Sequence, residues 1–396
     1  MERVELTPKD EITRRISALR SALAAAGIDF AIILQNVDMY YFTGTIQKGA
    51  VVVSVDHEPV FFVEKSVERA LQQTPLPVTP VKNNKEIRDR LTAGGLLRGK
   101  GGMELDVIPV SVYERFKDSI GFNNFVDVSP VIKELRAIKS PFEIEQIRKS
   151  GWIMSRVFAK AKHVVREGAR EIDVEAELVA EGKRYGHDGS LRMRGFNQEM
   201  TIITVVSGST GGVPSPTDVS VAGVGPSPAF PQGSSLKRIE RSVPVCIDYG
   251  GGYNGYVTDE TRVFVVGTLK EMFRKPLEVS RQIIEEIMMY ARDGVDCTDV
   301  FKKAHDAAKK ARLQDHFLGH GEGQVSFIGH GLGLEINELP VITSRHSRIL
   351  KEGMVFAFEP KFVFPGEGAV GIEVDFIVRK DGLERVSDTS LDLVEL

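Results

Sequence analysis

The sequence predicts a two-domain α/β protein, with a smaller α/β domain over residues 1–135 and a larger α+β domain over residues 136–396. The first observation is the length, because 396 residues are enough for two domains of roughly 100–200 residues each. The second is that helical patterns alternate with short apolar runs in the first third of the chain. The third is a strong helix start near residue 140, which indicates that a new unit begins there.

Composition and charge exclude several classes of protein. The 51 basic and 55 acidic residues give a net charge of −4, so the chain has no excess of positive charge for nucleic acid or an anionic membrane surface. No apolar run reaches the roughly 18 residues of a spanning helix, and Met1–Asp10 lacks the apolar core of a signal peptide. Two cysteines, Cys246 and Cys297, are too few for a disulfide framework. We therefore expect a cytoplasmic protein without a nucleic-acid or membrane partner.

Residues 1–135 have the pattern of a layered unit in which no catalytic side chains are concentrated. We expect Thr7 to cap the first helix, whose apolar stripe consists of Ile12, Ile16, Leu19 and Leu23. Further elements are predicted as strands at Phe30–Leu34, Ala50–Val55 and Val60–Val63 and as helices at Asn83–Leu91 and Pro109–Ile120. The expected role of this unit is scaffolding, dimerisation or covering the substrate.

A capping box marks the start of the second domain. Ser140-Pro141-Phe142-Glu143 combines a capping hydroxyl, a proline at the first helical position and a glutamate three residues after the cap. Within this domain, Arg166-Glu167-Gly168 and Arg292-Asp293-Gly294 are similar, and each is followed by an Asp-Val pair. We interpret them as parts of two duplicated helix–helix–hairpin halves related by a pseudo-two-fold axis.

The first half ends in two strands that each carry an aspartate. Val243–Asp248 is an apolar strand that ends in Asp248, and Tyr256–Val265 returns with Asp259 after a turn predicted over residues 249–255. Most single aspartates lie at a surface or in a turn. In an apolar strand, however, an aspartate is costly to desolvate unless it meets a cation or a hydrogen-bond donor. We expect the two carboxylates to lie side by side.

The second half repeats this construction with glutamates. Met354–Phe358 is an apolar strand followed by Glu359, and Ala369–Val378 returns with Glu373. Four carboxylates in one dry pocket repel one another, and they lose their protons only beside compensating positive charge. Because two divalent cations would balance four negative charges, the sequence predicts a dinuclear metal site.

His330 is the expected nitrogen ligand of this site. It lies between two glycines, which allow the backbone to approach a metal closely, and the strand-like run Val325–Ile328 leads into it. A lone histidine is more often a core or surface residue than a ligand, but four candidate acids favour ligation here. His320, also between two glycines, is the competing candidate, and His187 has no spacing in its favour.

The segment Ser207–Ser235 is rich in glycine, proline and serine. Long segments of this kind within compact domains are usually either disordered insertions or ordered functional loops. We favour an ordered loop that covers the site.

Five motifs occur in a fixed order in the second domain. They are Ile247-Asp248-Tyr249-Gly250, Thr258-Asp259-Glu260-Thr261-Arg262, Gly329-His330-Gly331-Leu332-Gly333, Phe358-Glu359-Pro360 and Ile372-Glu373. Together they resemble the pita-bread metallopeptidases, which include methionine aminopeptidase, prolidase and aminopeptidase P, with creatinase as a metal-free relative. The first 135 residues resemble the creatinase-type N-terminal domain, with the best match over Ile28–Gly44. That pairing favours the prolidase-like branch.

The resemblance implies a set of metal ligands and their roles. The positions that match the family's five ligands are Asp248, Asp259, His330, Glu359 and Glu373. Asp259 and Glu373 would bridge two ions, Asp248 would hold one ion, and His330 and Glu359 would hold the other. The ions would polarise a carbonyl and lower the pKa of a bridging water, and Glu359 would act as general base. Mn²⁺ or Co²⁺ is expected, with Zn²⁺ or Fe²⁺ as alternatives, and the family implies a homodimer.

Two positions depart from the family pattern. Asn337 and Ser215 stand where peptidase members usually carry histidines that bind the substrate carbonyl. Asparagine can still donate a hydrogen bond, but it carries no proton or positive charge at neutral pH. We therefore assign Asn337 a catalytic role beside His330 and Glu359, as a donor to the substrate.

Three functions follow from these observations. The first is a metal-dependent hydrolase that cleaves a peptide bond next to proline in a dipeptide or short peptide. The second uses the same metal site on a small non-peptide amide or in a lyase reaction, as Asn337 and Ser215 would allow. The third is a non-catalytic peptide-binding module, against which the complete ligand set argues, because unneeded buried carboxylates are costly.

Overall fold

The computed structural model describes residues 5–396, so residues 1–4 of the N-terminal stretch considered above lie outside it. The chain divides into two compact units. The first contains the residues up to Arg136 together with Arg194–Gln198, and the second contains Ala137–Met193 and Glu199–Leu396. Within the described residues, no helix combines the length and the hydropathy that a membrane span requires.

The first unit is a mixed sheet with helices, as the sequence predicts. Its helices are α1 (Lys9–Ala25), α2 (Asn36–Thr43), α3 (Val67–Gln73), α4 (Asn84–Ala93), α5 (Val110–Ile120) and α6 (Ser129–Ala137). Its strands are β1 (Phe30–Ile33), β2 (Gly49–Ser54), β3 (Val60–Val63), β4 (Val78–Pro80), β5 (Gly101–Met103) and β6 (Phe125–Asp127). The strand order within the described residues is β4-β3-β2-β1-β5-β6, with β1–β2 and β2–β3 antiparallel and the other pairs parallel.

Helix α1 follows the predicted apolar stripe but not the predicted cap. The stripe residues are at most 4% exposed, which confirms their place in the core. Thr7 does not cap the helix, because Pro8 occupies the N-cap position and no side-chain cap bond is formed. The expected role of Thr7 is therefore wrong. The helix begins at Lys9, so Thr7 lies one residue before the N-cap position, and its hydroxyl does not accept from the first turn of the helix.

Charged residues are buried in the first unit around Asp38. Arg136 and Arg194 each donate to one carboxylate oxygen of Asp38, at 2.7 and 2.9 Å. Arg194 also binds Asp106, and these contacts tie the segment Arg194–Gln198 to the first unit. Glu104 is fully buried nearby and accepts the backbone N–H groups of Leu34 and Gln35. Burial, and then the charge of Asp38, raise the pKa of Glu104 to about 8.

Replacing Glu104 with glutamine should remove part of the pH dependence of stability. Because the carboxyl has a pKa near 4.5 when unfolded and about 8 when folded, the folded state holds the proton across this range. Its stabilising effect is therefore present at low pH and is lost as the pH rises towards 8. In urea unfolding at pH 5 and pH 8, Glu104→Gln should lose less stability between the two pH values than the wild type. The exposed Glu58→Gln variant is the control, and equal losses in all three proteins would contradict the buried protonated carboxyl.

The second unit contains longer helices and three sheets. Its helices are α7 (Pro141–Val164), α8 (Glu171–Arg184), α9 (Glu271–Tyr290) and α10 (Cys297–Lys310). Its strands are β7 (Ile203–Ser207), β8 (Val245–Tyr253), β9 (Tyr256–Val265), β10 (Phe327–Gly331), β11 (Glu338–Thr343), β12 (Val355–Phe358), β13 (Lys361–Phe364), β14 (Gly368–Gly371), β15 (Val374–Val378), β16 (Leu383–Arg385) and β17 (Val394–Glu395). The sheets among the described residues have the orders β17-β9-β8-β7, β11-β10-β12-β15-β16 and β13-β14. A helix pair precedes the strands in both halves, and the two-fold relation between the halves stays a prediction.

Helix α7 begins at the predicted capping box. Ser140 Oγ accepts the backbone N–H of Glu143, and the Glu143 carboxylate accepts the backbone N–H of Ser140. Both bonds are present together, with Pro141 at the first helical position, so this prediction is confirmed.

The two cysteines, Cys246 and Cys297, are free and buried.

The first acidic hairpin differs from the prediction in the length of its turn. Strand β8 continues through residues 249–253, and the turn consists only of Asn254 and Gly255, both at positive φ. Two such residues suffice for a tight hairpin turn. The glycines of the expected turn instead allow close packing, since a Cβ on Gly251 would lie 2.1 Å from Thr258 Oγ1 and 2.7 Å from Ser150 Oγ of α7.

The second acidic hairpin is split in two. The predicted return strand Ala369–Val378 is broken, because β14 pairs with β13 whereas β15 pairs with β12 in another sheet. The breaks fall at Glu359-Pro360 on one side and at Ile372-Glu373 on the other. Both glutamates therefore lie where the chain passes from one sheet to the next.

Candidate metal centre

The β8–β9 hairpin presents both aspartates on one face. Asp248 lies opposite Thr261, and Asp259 lies opposite Gly250. Residues two apart on a strand share a face, so Asp248 and Asp259 are diagonal neighbours on the same side of the sheet. The expectation that the hairpin brings the two carboxylates together is met, although the turn is shorter than predicted.

The second sheet supplies the other three candidates from adjacent strands. His330 on β10 pairs with Ala357 on β12, and Phe358 on β12 pairs with Val374 on β15. Glu359 and Glu373 directly adjoin this last pair, and they therefore leave the sheet side by side. Residues from distant parts of the sequence are positioned by backbone hydrogen bonds of the same sheet.

The side chains converge on a small space next to the imidazole. His330 Nε2 lies 3.7 Å from Asp259 Oδ2 and 3.9 Å from Glu359 Oε1. One ligand atom each from Asp259, His330 and Glu373 lie within 4.8 Å of one another. In addition, Asp259 Oδ1 is buried and, among the described residues, has no hydrogen-bond partner. A buried carboxylate oxygen of this kind needs a cation or a donor, so the residues fit a divalent metal ion.

Neighbouring groups hold the carboxylates in place. Ser220 donates to Glu359 Oε2 at 3.2 Å, and Thr261 Oγ1 donates to Glu373 Oε2 at 2.8 Å. The backbone N–H of Asp259 donates to Asp375 Oδ2 at 2.8 Å. Such outer contacts orient the groups that bind a metal. Ser220 belongs to the segment Ser207–Ser235, so this segment reaches the site, as the ordered-loop interpretation predicts.

The acids of the site carry strongly shifted pKa values. Burial, followed by the charges of Glu373 and Asp248, raises the pKa of Asp259 well above its usual range. Burial also raises the pKa of Glu373, against the lowering effect of Lys361. Titratable groups shifted by burial and by specific neighbours are characteristic of functional sites.

Lys361 is a member of the cluster that sequence reasoning missed. Its ammonium lies 2.7 Å from Glu373 Oε2, 3.0 Å from Asp248 Oδ2 and 3.1 Å from Glu359 Oε2. Burial by itself lowers the pKa of Lys361, but the carboxylates outweigh it and raise that pKa well above its usual value. The signal in the sequence was a lysine between Pro360 and Phe362 in an apolar strand. The argument that singled out the acids, the cost of burying a charge, applies equally to it.

The other histidines considered from the sequence do not belong to the group of converging ligand atoms found among the described residues. His320 stacks on His316, and its Nδ1 lies 3.3 Å from the carbonyl oxygen of Asp315. His187 Nε2 lies 2.9 Å from the carbonyl oxygen of Gly250, and its Nδ1 accepts from the backbone of Gly189. Both are accommodated as structural histidines, so the preference for His330 over His320 agrees with the geometry.

A cleft of about 570 Å³ borders the strand that carries His330. Phe327 of β10 and Val341 of β11 line it, and Val341 is the residue paired with His330. Ser215 lies in the same cleft and donates to the carbonyl oxygen of Thr217. Asn337 is exposed in the connection that leads into β11. The volume is sufficient for a small peptide.

Comparison with known families agrees with this arrangement. Residues 145–380 match the model of metallopeptidase family M24. Residues 15–138 match the creatinase/prolidase N-terminal domain. The resemblance drawn from the five motifs is thereby confirmed.

Relatives of similar length exist in archaea and bacteria. The chain is 30% identical to the Xaa-Pro dipeptidase of Pyrococcus furiosus, over 96% of this chain and 99% of that one. Among solved structures, the Xaa-Pro dipeptidase from Bacillus anthracis has a TM-score of 0.84 at 26% identity, with 97% of this chain and 100% of that chain covered. The prolidase from Pyrococcus furiosus has a TM-score of 0.78 at 29% identity, with 94% and 99% covered. The chain therefore belongs to metallopeptidase family M24 and combines the M24 domain with a creatinase/prolidase-type N-terminal domain.

Proposed function

We propose that this protein is a metal-dependent Xaa-Pro peptidase that hydrolyses the peptide bond before proline in dipeptides or short peptides. The observation that carries the proposal is the convergence of His330, Asp259 and Glu373 around Asp259 Oδ1, a buried oxygen that finds no hydrogen-bond partner within residues 5–396. The relatives named Xaa-Pro dipeptidase support the substrate class. They do not favour a small-amide hydrolase, a lyase or a binding module.

Five residues would hold the metal in this proposal. They are Asp248, Asp259, His330, Glu359 and Glu373. A bound divalent ion would supply charge that polarises the peptide carbonyl and lowers the pKa of the attacking water. Oxygen-rich donors with one imidazole suit Mn²⁺ or Co²⁺, with Zn²⁺ or Fe²⁺ as alternatives.

Glu359 is the proposed general base. Ser220 and Lys361 hold its Oε2, whereas its Oε1 faces His330 Nε2 at 3.9 Å. Oε1 is therefore the oxygen available to take the proton from the attacking water and to pass it to the departing proline nitrogen. His330 would be oriented by its strand so that Nε2 points to the same space.

The cleft beside β10 would bind the peptide. Ser215 would contribute a hydroxyl to this cleft. Asn337, in the connection that leads into β11, would donate its side-chain amide to the substrate carbonyl. We further propose that residues 1–135 form the creatinase-type domain, that residues 136–396 form the catalytic domain, and that the protein is a cytoplasmic homodimer.

One prediction of the proposed function concerns catalytic activity and the general base. Purified protein with Mn²⁺ should release proline from Xaa-Pro dipeptides, and chelation followed by Mn²⁺ addition should abolish and restore release. Because Glu359→Gln removes the proton acceptor, kcat should fall by about 100-fold or more. A ninhydrin assay of free proline measures this. Failure of the metal-loaded wild type across a broad Xaa-Pro panel would refute the proposed function.

A second prediction separates metal binding from folding. Asp259→Asn removes a carboxyl group whose ionised form is disfavoured by burial and by the neighbouring acids, so the metal-free variant should unfold at a higher urea concentration than the metal-free wild type. Mn²⁺ at about 100 times its Kd should add about 2.7 kcal/mol to the unfolding free energy of the wild type. Most of this increment should disappear in the variant at the same Mn²⁺ concentration. Asp381→Asn, at an exposed position, is the control and should behave as the wild type.

A third prediction concerns the substrate donor. Loss of one hydrogen bond in Asn337→Ala should lower kcat/KM for Xaa-Pro dipeptides about tenfold. Metal uptake should be unchanged, because Asn337 is not among the proposed ligands. The control is Asn123→Ala at an exposed position of the first unit. An unchanged kcat/KM in Asn337→Ala would remove this residue from the substrate site.

A further inference from the structure

The Lys361 ammonium donates two hydrogen bonds and forms three ion pairs, all with proposed metal ligands. Its side chain is 5% exposed, and its Nζ contacts Glu373, Asp248 and Glu359 at 2.7–3.1 Å. An ammonium group has three N–H donors and no acceptor. Three of the four carboxylates of the site are therefore already neutralised in part by a cation that belongs to the chain.

The backbone is built to admit this side chain. Lys361 begins β13, two residues after Glu359, and is paired with Gly371 on β14. A Cβ on Gly371 would lie 2.6 Å from the Cα, 2.7 Å from the Cγ and 2.9 Å from the Cβ of Lys361. Only glycine leaves room at that position for the lysine stem. The pairing of β13 with β14 thus leaves the space that the Lys361 side chain occupies.

The cluster separates into a lysine side and a histidine side. On the lysine side, the ammonium binds Asp248 Oδ2 and Glu373 Oε2. On the histidine side, Asp259 Oδ2 and Glu359 Oε1 face His330 Nε2, and Asp259 Oδ1 is the buried atom without a partner among the described residues. Glu359 thus directs one oxygen to each side.

A metal ion cannot share the lysine side. Carboxylate oxygens bind such ions at about 2.0–2.2 Å. An ion bound to Asp248 Oδ2 and Glu373 Oε2 would therefore share both oxygens with the ammonium nitrogen, which lies 3.0 and 2.7 Å from them, and would lie at most about 5 Å from that nitrogen. Two like charges at that separation in a buried site repel strongly.

We propose that the Lys361 ammonium takes the place of one of the two ions, so that the protein binds a single divalent ion on the histidine side. This inference rests on the proposed metallopeptidase function and departs from the expectation of two ions. The single ion would be held by His330, Asp259 and Glu373, with Glu359 Oε1 facing it. Asp248, which the set of five proposed ligands includes, would in this arrangement serve as a partner of Lys361 and would not bind the single ion.

Metal stoichiometry tests the proposal directly on the full chain. Metal-free wild type titrated with Mn²⁺ in a calorimeter should bind one ion per chain, and the bound Mn²⁺ should give the electron paramagnetic resonance spectrum of an isolated ion. Lys361→Met keeps the stem without the charge, and Lys361→Ala also opens space. Both should take up a second ion and give a spin-coupled Mn²⁺ pair.

Four further variants locate the effect. Lys361→Arg keeps a positive charge and should retain one ion, and Lys380→Met, at an exposed position, should behave as the wild type. His330→Ala should weaken binding of the single ion at least tenfold, whereas Asp248→Asn should not.

The outcomes separate this inference from the proposed function. Two ions bound by the wild type with proline released would overturn the role of Lys361 and leave the peptidase intact. One ion bound by both the wild type and the Lys361 variants would also overturn it. If a Lys361 variant does not fold, the wild-type spectrum and the His330→Ala and Asp248→Asn titrations decide the question. No metal uptake by the wild type would overturn both the inference and the proposed function.

Discussion

The mutual repulsion of four carboxylates is the constraint on which the second unit depends. Asp259 and Glu373 are almost completely buried, and Asp248 and Glu359 lie beside them. Such a group of acids is tolerable in a dry interior only with positive charge among them. Lys361 supplies part of this positive charge from the chain itself. The space next to His330 fits a divalent ion, which would supply the rest.

The architecture around the acids explains how they are held against that repulsion. The backbone of one sheet sets the two aspartates at diagonal positions, and the passage of the chain between two other sheets sets the two glutamates side by side. Ser220, Thr261 and Asp375 then bind either a carboxylate or the backbone next to it. A rigid frame of hydrogen bonds thus carries a cluster that would separate if it were built on flexible loops.

Local signals predicted local structure well. The capping box at Ser140 and the stripe of α1 depend on residues within a few turns of each other, and both occur as predicted. The turn predicted over the glycine-rich run 249–255 is wrong in its length, because glycine is common in turns but also occurs where elements pack closely. Its glycines allow α7 to pack against β8, a contact made by residues about 100 positions away. The single return strand predicted over Ala369–Val378 is wrong for a similar reason, since its two parts pair with different strands of the folded protein.

The sequence by itself determined the chemistry of the candidate site, because four acids and one histidine in ordered motifs indicate the kinds of candidate ligand and the family. Tertiary structure alone decided how the charges are shared. Asp248 and Lys361 are 113 residues apart along the chain, and only folding brings the ammonium within 3.0 Å of that carboxylate. Charge interactions depend on distance in space and on burial, and neither can be read from the order of residues.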